Sequence, residues 1–433
     1  MLSVRSKIGF TLVALLFSLS VGCADERSVE GLDAQDGRIG VGTLRSDQWA
    51  KADTNCDALS SDYFEFLDDT QCRKRAPTNR DRALACPNNA THATVFSPVH
   101  GHEVSYQTAD VRPVVDDTAL TGIVPDDLRV TLVLVRRVDG RPHYRYLSNG
   151  RHDETFQPWS STKFMAIANA GAQLRAQSND QVGLTATVDD LPVGDLVSMV
   201  HNYDERIYTS NGLSRWFLNM GGRSALNNLI HDDWLDRPSW ESLGGNYGHR
   251  APDLGYSLVD ESGSLEVEGR DEGGPRNHLS TYTIAEFLKR LVMQREDPDL
   301  ALPGLTWPDV ATLFYGAERS QIYRDGQPQG MQADTSIYVQ QALDMDEIEA
   351  RSHGQWRIFS KLGFGFARGG EFVNAAYGCF PVKDEQGEVV DDWGKEFFIV
   401  TQLNGRRRHQ ETDQRLAEIY RRLVGAVMDG ILK

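Results

Sequence analysis

The chain has 433 residues, 40% of them hydrophobic and 25% charged. At roughly 150 residues per domain this is two or three domains with enough apolar content for a sizeable core, which excludes a peptide, a fibre and a disordered tail. Forty-five Lys and Arg against 62 Asp and Glu leave a formal net charge of −17, so the surface repels phosphate backbones and argues against nucleic-acid binding.

Residues 1–22 read as an export signal: Arg5 and Lys7 form a basic head, and the apolar run Ile8 to Val21 is too short for a comfortable spanning helix. The run ends Leu19-Ser20-Val21-Gly22-Cys23, which resembles the lipobox of a bacterial lipoprotein, with leucine one place earlier than that pattern prefers. The resemblance implies lipidation of Cys23 and a soluble domain held on the periplasmic face of a bacterial membrane; ordinary signal cleavage is the alternative. Residues 23–55 are rich in Asp, Gly and Ser and suit a tether. Cys56, Cys72, Cys86 and Cys379 are an even set in an oxidising compartment, which allows three pairings, and the clustering of the first three favours a local bridge such as Cys56 with Cys72. There is no Cys-x-x-Cys pair, and His100-x-His102 is the only tight histidine pair, so no zinc site or other cofactor is implied.

Residues 56–124 read as a small cysteine-containing accessory region with short strands at Ala93 to Phe96 and Glu103 to Tyr106. From residue 125 the pattern is richer. Arg129 to Val138 alternates and is β-branched, turns at Asp139-Gly140 and continues into Tyr144 to Leu147, a hairpin. Helices are expected to begin near Ser160, Asn211, Ser224 and Thr283. Residues 247–278, rich in Gly, Asp, Glu and Arg, read as a long polar loop. Trp356 to Lys361, Phe372 to Val382 and Phe397 to Leu403 read as strands, and Leu416, Ile419, Tyr420, Leu423, Val427 and Met428 mark one face of a closing amphipathic helix. Strands at both ends of a helical region imply an α/β (α+β) fold: an antiparallel sheet flanked by helices, a separate all-helical lobe, and a cleft between them.

Three short motifs carry the candidate chemistry. Ser160-Ser161-Thr162-Lys163 starts a helix, so Ser160 and Lys163 share a face, and an amine there can activate a hydroxyl once it has lost its proton. Tyr208-Thr209-Ser210-Asn211 opens the next helix, and Lys361-Leu362-Gly363-Phe364 closes a strand. In this order, over about residues 125–433, the chain resembles the serine β-lactamase and penicillin-binding protein superfamily, most closely the class A β-lactamases, whose signature is S-x-x-K, S-D-N and K-T-G.

The resemblance implies a serine hydrolase of β-lactamase-like fold, expected as a monomer, acting on a β-lactam or a peptidoglycan peptide. It makes Ser160 the acylated nucleophile, Lys163 its proton acceptor, Thr209 the hydroxyl that returns a proton to the leaving nitrogen, and Asn211 a ligand of the substrate amide. Lys361 would supply charge beside the substrate carboxylate, and the N–H groups of Ser160 and Phe364 would form the oxyanion hole. Glu241, in Trp240-Glu241-Ser242-Leu243-Gly244-Gly245-Asn246, is the candidate base for deacylation. Leu362 stands where the family has a carboxylate-binding Thr, which implies weakened carboxylate recognition that a restored hydroxyl would relieve, and Arg368 is a candidate replacement anchor. The alternatives are a peptidoglycan DD-peptidase, and a catalytically degenerate peptidoglycan-binding scaffold.

Overall fold

A computed structural model describes residues 75–433 except 83–85, 203–206, 246, 249, 273, 275–276, 325, 335–337, 366–369, 391–393 and 406–408. The described residues belong to one compact unit, and Cys23, Cys56, Cys72 and Arg368 lie outside the described residues.

In chain order the strands and helices are β1 (Thr94–Ser97), β2 (His102–Ser105), β3 (Val115–Asp116), β4 (Arg129–Val138) and β5 (Arg141–Leu147), then a 3-10 turn (Trp159–Thr162) running into α1 (Lys163–Ser178). The helical lobe continues through β6 (Thr187–Val188), β7 (Leu191–Pro192), α2 (Val193–Asn202), α3 (Ser210–Gly221), α4 (Arg223–Asn228), β8 (Ser257–Asp260) and β9 (Gly263–Glu266). There follow α5 (Thr281–Met293), α6 (Trp307–Tyr315), α7 (Tyr338–Gln341), α8 (Met345–Ser352), β10 (Arg357–Gly365), β11 (Glu371–Phe380), β12 (Lys395–Asn404) and α9 (His409–Met428).

The principal sheet has the order β10-β11-β12-β4-β5-β3 and is antiparallel except for the β3/β5 pair. It is buried on both faces, and the strand period of two divides its side chains between two cores. On β12, Phe398 and Val400 join the helical-lobe core with Phe164, Phe287 and Phe359, while Phe397, Ile399 and Leu403 pack against Leu416, Tyr420, Leu423 and Val427 of α9. The expected α/β layout is therefore present. Helix α1 runs through the middle of the lobe, apolar on nearly every side, and its alanines let neighbours approach closely. A Cβ on Gly221 of α3, for example, would stand 2.5 Å from Asn169 Nδ2.

Two sequence expectations are revised. The 247–278 stretch is more than a polar loop: β8 and β9 form a hairpin that completes a second sheet of order β7-β6-β8-β9, and Tyr256 stacks on the buried Trp216. The described part of 56–124 is joined to the main body. Strand β3 extends the principal sheet, Tyr106, Leu120 and Val124 enter the α9-side core, and a Cys86–Cys379 disulfide ties the segment to β11. That bridge is one of the pairs the cysteine count allowed.

Candidate functional site

The Ser160 turn is built around a strained residue. Trp159 has φ +50°, a left-handed conformation that a bulky side chain adopts only under compulsion. Its indole N–H donates to Glu371 Oε2 at 2.8 Å, and its ring lies against Gly365, where any Cβ would overlap it. Gly363 meets the same turn: a Cβ there would stand 2.5 Å from Pro158 O and 2.7 Å from Ser161 N. Strand β10 is the terminal strand of the sheet, so its two glycines allow its free edge to lie against the turn that carries Ser160. The neighbouring hydroxyls are committed locally, Ser161 Oγ to Pro158 O at 2.6 Å and Thr162 Oγ1 to Trp159 O at 3.3 Å. Ser160 is half-buried, and its hydroxyl has no hydrogen-bond partner among the described residues.

Lys163 lies one helical turn further in and is fully buried. Its Nζ donates to Ser210 Oγ at 2.9 Å and to Asn211 Oδ1 at 2.6 Å, and lies 5.7 Å from the centre of the Tyr247 ring, within cation–π range. The first and second motifs thus meet, with one change of part. Thr209, expected at the proton-return position, is the N-cap of α3, its Oγ1 accepting from Gly212 N at 3.0 Å. The hydroxyl brought to Lys163 is that of Ser210, which in turn donates to Val200 O at 2.8 Å. The next residue, Asn211, also meets the lysine, through its side-chain oxygen.

The third motif is placed differently from expectation. Lys361 is fully buried, and its Nζ donates to Asp334 Oδ2 at 3.0 Å and to Leu362 O at 3.1 Å. Asp334 also accepts from Ser360 Oγ at 3.2 Å and from Leu362 N at 3.2 Å, so one carboxylate pins this part of β10. Burial pushes the Lys361 ammonium below the ordinary lysine value, while Asp334 acts to raise it again. The charge expected to face a substrate carboxylate is already countered. Leu362 does not face the site either: its side chain is 3% exposed and packs in the α9-side core. Phe364 lies in the same layer, 4.9 Å ring to ring from Phe372.

Glu241 is placed as a structural carboxylate. Its Oε1 accepts two N–H groups of Arg237, at 3.1 and 2.7 Å. Its Oε2 accepts Ser280 N at 2.9 Å, Ser280 Oγ at 3.0 Å and Thr283 Oγ1 at 2.5 Å. A carboxylate has about four lone-pair sites, and these five donors leave none to orient a water. The bonds instead tie the 238–243 loop to the start of α5. The loop residue that stands over Lys163 is Tyr247, half-buried, at φ +54°, its hydroxyl 3.3 Å from Thr162 Oγ1.

Sequence reading missed two groups. Asp334 follows a short 3-10 turn (Gly330–Ala333) in a stretch without periodic pattern, so only the tertiary fold reveals its pairing. His201, fully buried on α2, has Nδ1 2.8 Å from Val197 O, which makes Nδ1 the protonated nitrogen, and its Nε2 has no partner among the described residues. Burial, with the Lys361 and Lys163 ammoniums adding in the same direction, holds this imidazole down at about 3. The result is a half-exposed hydroxyl on a strained turn beside a glycine-lined strand edge, above a buried layer of two lysines, one carboxylate and a neutral histidine. Such an arrangement can present a nucleophile to a carbonyl laid along the β10 edge.

No family model and no curated protein matches the sequence. Among solved structures the chain is similar to a variant of the class A β-lactamase of the last common ancestor of Gram-negative bacteria, at 17% identity over 69% of this chain and 92% of that one, with a TM-score of 0.38. It is also similar to PBP-A, at 12% identity over 73% of this chain and 98% of that one, with a TM-score of 0.40. A PBP-A mutant solved as an acyl-enzyme complex with penicillin G shares 13% identity over the same 73% and 98%, with a TM-score of 0.40.

Proposed function

We propose that the protein is a serine hydrolase of the β-lactamase and penicillin-binding protein type that forms an acyl-enzyme on Ser160 with a lactam or amide. The observation that carries this reading is the left-handed Trp159, whose turn carries Ser160 and packs against Gly363 and Gly365 of β10, with the buried Lys163 one helical turn further along. In the proposed step Ser160 Oγ bonds to the carbonyl carbon as its proton passes to the Lys163 amine. The tetrahedral oxyanion then collapses, the C–N bond breaks, and the Lys163 ammonium passes its proton to Ser210 Oγ as the Ser210 hydroxyl, released from Val200 O, gives its own to the leaving nitrogen. Lys163 must enter this step unprotonated.

A second reading within the same chemistry is favoured by the five donors on Glu241. Without a free carboxylate to activate water the acyl-enzyme would be long-lived, as in a peptidoglycan DD-peptidase that penicillin traps. A nitrocefin time course separates the readings: sustained turnover indicates a β-lactamase and a stoichiometric burst a penicillin-trapped enzyme. No signal together with muropeptide binding would indicate a scaffold. Intact-mass analysis after penicillin exposure should show an adduct on the wild type and none on Ser160→Ala, and equal labelling of both would overturn the acyl-enzyme. Export and lipid anchoring through Cys23 rest on the lipobox-like segment, and loss of membrane association in Cys23→Ala tests them; no helix of the described residues is long and apolar enough to cross a membrane.

A further inference from the structure

A buried charge cluster that the Ser160 chemistry does not use lies where the chain leaves α5 against the principal sheet. Arg137 of β4 is buried. Its Nη1 donates to Glu296 Oε2, just past the helix, and its Nη2 to Glu396 Oε1 of β12 at 2.7 Å. Glu396 Oε1 also accepts from Tyr377 OH of β11 at 2.8 Å, whereas its Oε2 is buried with no partner among the described residues.

Among the described residues no second cation bonds either carboxylate. Lys289 of α5 is held by Glu286 at 2.9 Å, and Arg295, beside Glu296 on the same turn, lies over the Trp307 ring. Tyr144 of β5 brings a buried hydroxyl without a partner among the described residues, and Asp297 adds a further acid on the Glu296 turn. Two carboxylates thus face one guanidinium, which leaves one negative charge over, and a buried charge without a counterion is relieved by taking up a proton. Burial pushes both carboxyls above their ordinary range against the pull of Arg137, and the Glu396 charge helps to carry Glu296 to about 7.

We infer that Arg137, Glu296 and Glu396 form a proton-operated latch: while the two carboxyls hold one proton between them the turn after α5 is closed on the sheet, and loss of that proton to solvent releases Glu296 into water. Glu296 is the part that can leave. Its side chain is 17% exposed and stands on a turn, whereas Glu396 belongs to a strand paired on both sides. The folded value of Glu296 lies above the ordinary 4.5, so the folded chain keeps a proton that the unfolded chain has lost; the latch stabilises fully below 4.5, and its contribution is lost as pH rises through about 7. The latch is independent of the Ser160 chemistry.

The test is an NMR titration of the full chain with its glutamates isotope-labelled at the side-chain carboxyl carbon. One glutamate is expected to titrate at about pH 7. That titration should vanish in Glu296→Gln and in Glu396→Gln, since each leaves one carboxylate to one guanidinium. Hydrogen-exchange mass spectrometry reads the opening at Glu296 N and Asp297 N, both bonded to Met293 O at 2.9 Å. After correction for intrinsic rates, these amides should exchange roughly tenfold faster at about pH 8.5 than at about pH 6 in the wild type, and equally at both in Glu396→Gln, where Arg137 keeps Glu296. No glutamate titrating near neutrality in the wild type, a neutral titration that persists in both variants, or corrected exchange that does not change with pH in the wild type would overturn the latch.

Discussion

Asp334→Asn tests whether the buried Lys361 depends on a single carboxylate. The substitution preserves shape and leaves one oxygen to accept from Leu362 N while its amide NH2 can donate to Ser360 Oγ, but it removes the charge opposite an ammonium that is fully buried. Breaking such a pair typically costs ~3 to 5 kcal/mol. The chain can avoid the full penalty by deprotonating the lysine. Taking the ordinary value of 10.5, that escape costs about 5 kcal/mol at pH 7 and about 2 kcal/mol at pH 9, at 1.36 kcal/mol per unit. The unfolded chain then binds a proton that the folded variant does not, so the stability of the variant rises with pH up to 10.5. The expected result is a loss of roughly 3 to 5 kcal/mol at pH 7 relative to wild type that shrinks toward pH 9, at up to about 1.4 kcal/mol per pH unit. Guanidinium unfolding followed by circular dichroism at both pH values measures it. A loss below about 1 kcal/mol at pH 7, or one that stays constant with pH, would refute the argument that Asp334 alone keeps Lys361 charged.

The remaining predictions concern neighbouring residues. His201 is held at about 3 against an ordinary 6.5, so the unfolded state binds the extra proton between these values. Its contribution is fully present above 6.5 and is lost as pH falls, by roughly 4 to 5 kcal/mol at pH 3. His201→Asn, which keeps a donor for Val197 O without titrating, should flatten that acid limb in urea titrations, and an identical limb in both proteins would contradict it. Glu241→Gln should destabilise by about 1 to 3 kcal/mol through its loop and helix bonds yet leave the rate of penicillin acylation within about threefold; loss of acylation in a folded variant would restore Glu241 to the chemistry. Leu362→Thr reverses the expectation drawn from sequence: it places a hydroxyl in the α9-side core, so it should cost about 2 to 3 kcal/mol and bring no gain in kcat/KM on penicillins. A tenfold gain would show that this side chain reaches the substrate after all.

The elements and the motif order were legible in the sequence because they rest on local physics. The period of two in Arg129 to Val138 and in Phe397 to Leu403, and the helical spacing after Thr283 and Leu416, record which side chains must leave water, and the structure places strands and helices there. That the Lys163 and Asn211 segments share a site was suggested by the family resemblance and not by helix spacing, and the fold brings the two side chains together. What the tertiary structure alone decided are the pairings between distant segments. Strand β10 turns Lys361 toward the lobe and Leu362 toward α9, an alternation whose sense depends on what covers each face. The charge of Lys361 is met by Asp334 from an unpatterned stretch, and Glu241 is consumed by Arg237, Ser280 and Thr283. Thr209 becomes a cap because the first turn of α3 needs an acceptor for its free N–H groups, which leaves Ser210 to meet the lysine. Residue type states what a side chain can do, but hydrogen-bond saturation and burial decide whether it is free to do it, and both are properties of contacts made across the fold.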